Sequence, residues 1–275
     1  MGTMDRTRQR RTTGLRDALA AAALLAAVAA PLPALAQDAA APAAGTVAPT
    51  APEPVLEQAA IDLLKKVSDT LAAAKSFIVE VKDMRQLPSS AGQMLTFINS
   101  AEITIERPDK MRADAVIGGV DTVFVYDGKA LSILDEEKNV YTVIDEPGTL
   151  DTVFNLVAAK HGITFAVSDF LANDPYAILG KDLTSAYEGP ATEIDGDPVR
   201  HLVFSTPGVD WQLWVDPDTD LPRLFVATYV DEPGQPHFVV GFEDWEIDEK
   251  PDAGDFVLDP PSDAVKIEPL PAAQQ

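Results

Sequence analysis

The sequence predicts an α+β fold that is mainly β, a large curved antiparallel sheet whose concave face is filled by helices. Three observations carry this. From Ser76 to Ile247 most of the chain alternates apolar and polar residues with period two, or is rich in β-branched and aromatic residues, and its breaks carry turn chemistry. Helical periodicity is confined to one segment before the first strand and to a block inserted in the middle, an order that fits α+β and not repeated βαβ units. About ten or eleven strands result, and an open sheet of that size tends to curl and to need something against its concave face.

The first 36 of the 275 residues read as an export leader. Arg6, Arg8, Arg10, Arg11 and Arg16 form a basic head, Leu19 to Ala30 is an apolar stretch too short to span a bilayer, and Ala34-Leu35-Ala36 supplies a small-x-small cleavage pattern before Gln37. Cleavage after Ala36 and delivery to the periplasm are expected, by either the general secretory or the twin-arginine route. Residues 37–54 are rich in Ala and Pro and carry no periodic apolar stripe, which predicts a disordered linker. Residues 55–275 are expected to form a single domain with no transmembrane span after cleavage.

In that domain, Leu56, Ala60, Leu63, Leu64, Val67 and Leu71 fall on one helical face. Strands are predicted at 76–87, 95–106, 111–117, 120–126, 129–134 and 140–144, with Asp127-Gly128 as the strongest hairpin signal. Leu150, Val153, Phe154 and Val157 mark a second helix that ends at His161-Gly162, and Ser168 to Leu179 a further short helix or two, with Ser168 as cap and Pro175 as restart. Strands resume near 181–194, 199–205, 209–215, 222–230 and 237–247.

Charge and cysteine content narrow the function. Taking the leader's five Arg and two Asp from 21 Lys+Arg and 44 Asp+Glu leaves 16 against 42, a formal charge of −26. Such a surface repels nucleic acid, whose binding depends on cations that neutralise phosphate. The chain has no cysteine, which removes disulfides, thiol catalysis, zinc-thiolate sites and an acylated-cysteine anchor.

Four stretches in order resemble the LolA-like lipoprotein-carrier fold group: Glu106-Arg107-Pro108-Asp109-Lys110-Met111-Arg112, Tyr126-Asp127-Gly128-Lys129-Ala130-Leu131, Asp216-Pro217-Asp218-Thr219-Asp220-Leu221-Pro222 and Phe256-Val257-Leu258-Asp259-Pro260-Pro261. Within that group the chain is most similar to a family of predicted periplasmic proteins of unassigned function, whose marks are His201-Leu202-Val203-Phe204 and Asp210-Trp211-Gln212-Leu213-Trp214. The resemblance implies an incomplete barrel, a helical lid and an apolar cavity for a lipid or a lipoprotein acyl chain, with an envelope protein as the other implied class of partner. It places a lid latch at Arg107; residue chemistry alone also allows Arg107 to pair with a neighbouring carboxylate.

No catalytic constellation emerges, so an enzyme is not expected. His201 and Ser205 lie four residues apart on a strand, about 13 Å at roughly 3.3 Å per residue, too far for a nucleophile and its base. Asp216, Asp218 and Asp220 have the opening spacing of a calcium loop, but Leu221 and Ala227 stand where Gly and a bidentate Glu are needed. No metal or cofactor is expected; the loop is better explained as turn chemistry. Alternation from Val209 to Val215 points Trp211 and Leu213 inward and Trp214 outward. Pairing Val215 with Pro222 then sets Leu213 against Leu224, Trp211 against Val226 and Trp214 against Arg223. Trp211, Leu213, Leu224 and Val226 are therefore the candidate cavity-lining residues. For Trp211 the first reading is plain core and cavity lining the alternative, two roles that nearly coincide in a carrier.

Overall fold

The computed structural model describes residues 54–269 together with 271 and 272. The expected leader, its cleavage site after Ala36 and all but the last residue of the expected linker lie outside these. The described residues form a large open antiparallel sheet with few helices, as predicted.

Helix α1 (Gln58–Ala73) comes first and buries Ala60, Leu63, Leu64, Val67 and Leu71, the predicted face. Leu56 falls outside it, bridging to Ala186 instead. Six strands follow as a meander: β1 (Ser76–Pro88), β2 (Met94–Glu106), β3 (Lys110–Ile117), β4 (Val120–Tyr126), β5 (Ala130–Asp135) and β6 (Val140–Asp145). Their turns use the residues that turn geometry demands. Asp127 Oδ1 accepts from the N–H groups of Lys129 and Ala130 at 2.9 Å each, and Gly128 adopts φ 89°.

The helical block holds α2 (Leu150–His161), α3 (Ser168–Leu171) and α4 (Pro175–Leu179). Gly162 ends α2 in the left-handed conformation, φ 68°. Ser168 is the first residue of α3 rather than its cap, which is Val167. Asp174 caps α4 through the Ala177 N–H at 3.0 Å, with Pro175 opening the helix as expected.

Next come β7 (Ser185–Glu188), β8 (Thr192–Ile194), β9 (Asp197–Thr206), β10 (Val209–Val215), β11 (Pro222–Tyr229), β12 (His237–Ile247) and a two-residue β13 (Val265–Lys266). The sheet order is β13-β6-β5-β4-β3-β2-β1-β12-β11-β10-β9-β7, with β8 beside β9. The two meanders join where β1 pairs with β12. The ends, β13 and β7, do not meet, so the barrel stays open. Sequence periodicity misses β13 because two residues hold no alternation. It also runs β7 and β8 together as one strand.

The β12 acidic run is not at an edge, as its charge suggests, but between β1 and β11. The register of β1 against β12 shifts between Ile78 and Glu80, opposite Asp244, which has φ 50°. The extra residue resets alternation, so Phe242 and Trp245 share one side and stack at 5.7 Å. Trp245 Nε1 donates to the Pro222 carbonyl at 2.9 Å.

One apolar core runs along the concave face, with α1 and α2–α4 set against it. Ser68, buried in α1, accepts from the Tyr176 N–H at 2.8 Å and so satisfies a donor in the first turn of α4. On the convex side, Leu258 packs on Val123, Val125 and Leu134, which explains the Phe256–Pro261 motif as a strap over β4–β5.

Candidate functional site

The concave face is crowded by aromatic rings on one half and lined by small side chains on the other. On β9–β12, Trp211 is 4% exposed and stacks on Phe204 with ring centroids 4.1 Å apart. Phe225 meets Trp211 at 5.8 Å and Phe170 of α3 at 5.3 Å. Aromatic rings thus occupy much of the space between sheet and helices on this half. On β1–β4 the corresponding positions are Ala101, Ala113 and Ala115, and Ala101 pairs directly with Ala115. Side chains this small cannot reach the overlying helices, so a void remains where neighbours of ordinary size would close it.

That void is a cavity of about 310 Å³ between β1–β4 and the segment joining α2 to α3. Val81, Ile103, Met111 and Phe124 form its deep wall, and Phe165, Val167 and Leu171 its roof. Phe165 is held by an edge contact to Phe124 at 5.5 Å and by Phe154 of α2 at 4.9 Å. Toward the tips of the strands the wall continues through Leu87, Phe97 and Ile117, each more than two-fifths exposed, which makes an apolar mouth. A pocket with such lining and few polar groups is suited to holding an apolar molecule.

The roof is tied down at Arg107. Its Nη1 donates to the Leu171 carbonyl at 2.9 Å and to Asn173 Oδ1 at 3.2 Å, and its guanidinium lies 5.5 Å from the Phe77 ring centre. Asn173 is fixed in turn by Asp151, whose Oδ1 accepts from the Asn173 N–H at 2.9 Å. Arg107 therefore reaches the end of α3 instead of forming an ion pair with an adjacent carboxylate. Its Nε and Nη2 are buried without a hydrogen-bond partner among the described residues. Burial pulls the Arg107 pKa below the ordinary guanidinium value, opposed by the nearby charge of Asp151. The group remains a cation at any pH at which the protein is folded.

The structure scatters the cavity residues anticipated from sequence. Trp211 lines a second, smaller cavity of about 280 Å³ with Phe170, Phe225 and Phe238, roofed by the same Ala166 that borders the first. Leu213 is fully buried in the core and lines neither cavity. Leu224 and Val226 lie on the opposite face from Trp211. Val215 does pair with Pro222, but the register shifts between Trp214 and Val215. Leu213 therefore faces Phe225, Trp211 faces Ala227, and Leu224 pairs with Trp214. The inward positions on β11 are Phe225 and Ala227.

The same shift frees Trp214 from Arg223. Trp214 stacks on His201 at 4.3 Å with planes 5° apart, and His201 Nε2 lies 2.9 Å from Gln212 Oε1. Arg223 is drawn to Asp197 and Asp216 at 3.8 and 3.9 Å. In the acidic loop the turn chemistry belongs to Asp216, not to Asp218 and Asp220. Asp216 Oδ1 accepts from the N–H groups of Asp218 and Thr219, while Asp220 pairs with Lys66 at 2.8 Å. Each carboxylate of this loop is thereby turned to a protein partner of its own or to solvent.

A sequence profile described as "Predicted periplasmic protein (DUF2092)" matches residues 60–270, from α1 to beyond β13. The chain belongs to this family. Among solved structures, this DUF2092 member is similar to an uncharacterized conserved protein from Thermus thermophilus, at 11% identity over 77% of this chain and 98% of that one, TM-score 0.43. It is also similar to the lipoprotein LppX of Mycobacterium tuberculosis, at 14% identity over 69% and 96%, TM-score 0.42. A LolA superfamily protein from Nitrosomonas europaea is similar at 11% identity over 71% and 96%, TM-score 0.34. Comparison with curated proteins gives no match.

The most apolar cavity described above lies on β1–β4, away from Trp211 and Trp214. A signal for it exists in the sequence in hindsight. Three alanines recur at inward positions of two adjacent strands, where the alternation otherwise places large apolar residues.

Proposed function

We propose that this chain is a soluble periplasmic binding or carrier protein for an apolar ligand, a lipid or an acyl chain, held between the curved sheet and the helical roof. The observation that carries this is the cavity of about 310 Å³ on β1–β4, apolar in its depth and open through an apolar mouth. Each methylene of a chain buried there contributes roughly 0.8 kcal/mol, so capture needs no bond-making and no cofactor. Entry and release occur by displacement of the roof, with Arg107 as its latch. The latch is suited to reversible opening: it holds the last residue of α3 by one hydrogen bond and Asn173 beyond it by another, while Nε and Nη2 have no partner among the described residues, so opening lets water reach them. Export with cleavage after Ala36 would deliver the domain to the compartment named by its family.

A second function is favoured by the aromatic filling of β9–β12: an interaction or sensor module for an envelope protein, with a core closed by its own side chains. Native mass spectrometry of the mature protein, purified from an exporting bacterial host, separates the two. Copurified lipid, or saturable binding of a fluorescent acyl probe, supports the carrier. Absence of both overturns it in favour of the interaction module.

A further inference from the structure

Two charged residues interrupt the apolar wall of the cavity on β1–β4. Asp83 and Arg85 sit two apart on β1, on the concave face, and both line the cavity. Asp83 is only 6% exposed. Among the described residues its side chain receives one hydrogen bond, from Asn99 Nδ2 at 3.0 Å on the adjacent strand. Asn99 cannot turn away, because its Oδ1 accepts from the Gly118 N–H at 3.1 Å in the β3–β4 turn. The polar pair is thus held in place from behind. An ionised carboxylate accepts up to about four hydrogen bonds and is costly to bury with fewer.

Arg85 completes the picture. Arg112, Arg200 and Arg223 each lie within 4.0 Å of a carboxylate, whereas Arg85 has no such partner among the described residues despite so acidic a chain. Its guanidinium rests 5.8 Å from the Phe238 ring centre. It also stays apart from Asp83, although their spacing along the strand is only about 7 Å. A carboxylate and a guanidinium held side by side in one apolar wall, and not spent on each other, match a head group that carries both charges.

We propose that the cavity selects a single-chain amphiphile with a zwitterionic head, its anionic group held by Arg85 and its primary ammonium donating to Asp83. This rests on the carrier function proposed above and specifies its ligand. The acyl chain would run from the phosphate at Arg85 into the deep end past Val81, Ile103 and Met111, with the short ethanolamine arm folded back beside it so that its ammonium meets Asp83. The volume, at the low end of the roughly 300–1,000 Å³ of ligand pockets, favours one chain over several. A fatty acid would satisfy Arg85 and leave Asp83 facing hydrocarbon. A quaternary ammonium has charge but no N–H to donate.

The test uses three lysophospholipids with the same acyl chain and ethanolamine, choline or glycerol heads, each displacing a fluorescent acyl probe from the mature protein below the micelle concentration. The ethanolamine lipid is expected to bind at least about tenfold tighter than the other two, ~1.4 kcal/mol. In Asp83→Asn that preference should vanish while the probe still binds. In Arg85→Gln all three phospholipids should weaken relative to an uncharged monoacylglycerol. Equal binding of the three by the wild-type protein, or a preference that survives Asp83→Asn, overturns the selectivity and leaves the carrier function standing. Failure of the probe itself to bind overturns both.

Discussion

Filling the cavity from its floor is the most direct perturbation of the proposed site. Ala113 is a buried residue on β3 that lines the void and pairs with Ile103 on one side and Phe124 on the other. Ala113→Leu adds three carbon atoms, which would occupy space available to about three methylenes of a bound chain. At roughly 0.8 kcal/mol per methylene, a ligand excluded from that depth loses about 2.4 kcal/mol, more than tenfold in affinity. The folded protein moves the other way. The new side chain enters an existing void of about 310 Å³ rather than a packed core, so it should not incur the ~1–3 kcal/mol penalty of overpacking. The assay is paired: urea denaturation of the ligand-free variant, and acyl-probe titration. Unchanged or higher stability with more than tenfold weaker binding is expected. A variant that is destabilised by more than about 1 kcal/mol while binding normally would show that the void is filled in solution and that the ligand sits elsewhere.

Other predictions follow from the same geometry. Arg107→Met removes the latch together with two unsatisfied buried donors, so global stability should change by no more than about 1–2 kcal/mol; amide hydrogen exchange across α3 and α4 should nevertheless accelerate, and unchanged exchange there would exclude the latch. Trp211→Ala opens the aromatic stack and should cost ~3–5 kcal/mol in denaturant unfolding, whereas Trp214→Ala on the other face loses little beyond its His201 contact, about 0.5–1.5 kcal/mol; equal costs would contradict the observed faces. The Asp216 carboxyl is held below the ordinary carboxylate value: burial opposes this but is outweighed by the Thr219 and Asp218 N–H groups and by Arg223. Its stabilisation is present above the unfolded pKa of about 3.9 and is lost as pH falls through the lower folded value. Asp216→Asn should therefore flatten the acid limb of the stability profile below about pH 4, and calcium should leave the melting temperature of either form unchanged.

The sequence carried the element types well because burial here follows simple periods. α2 begins at Leu150 and ends at Gly162 as its apolar spacing and left-handed stop require, and β4, β10 and β12 keep their predicted bounds. What escaped was phase. A bulge inserts one residue and sends every later side chain to the other face, yet the string of residue types looks the same on both sides of it. The shift beside Val215 exchanged Leu224 and Val226 for Phe225 and Ala227, and the bulge at Asp244 returned Trp245 to the side of Phe242. The cavity escaped for a different reason. Alanine satisfies an inward apolar pattern as well as leucine does, so a pattern of types registers Ala101, Ala113 and Ala115 as core, although their small volume is what keeps the core from closing.

If the roof opens as proposed, the contrast between the two halves of the sheet would let it stay anchored at one end while it moves at the other. Over β9–β12 the rings of Phe170, Phe225 and Phe242 interlock at 5.1–5.3 Å, contacts that hold α3 to the sheet by burial alone. Over β1–β4 the segment preceding α3 faces alanines and rests on a single aromatic contact from the sheet, Phe124 to Phe165. Displacing Phe165 therefore disturbs far less buried surface than displacing Phe170. A chain entering between Phe97 and Ile117 would replace that contact with its own methylenes, so the energy lost by lifting the segment is regained as the ligand settles. The polar restraint at Arg107 lies at the junction between the two halves, holding the Leu171 carbonyl at the far end of α3. Motion that begins at Phe165 would meet the ring contacts of Phe170 first and this bond one residue later, so packing and bond together would limit how far the segment lifts.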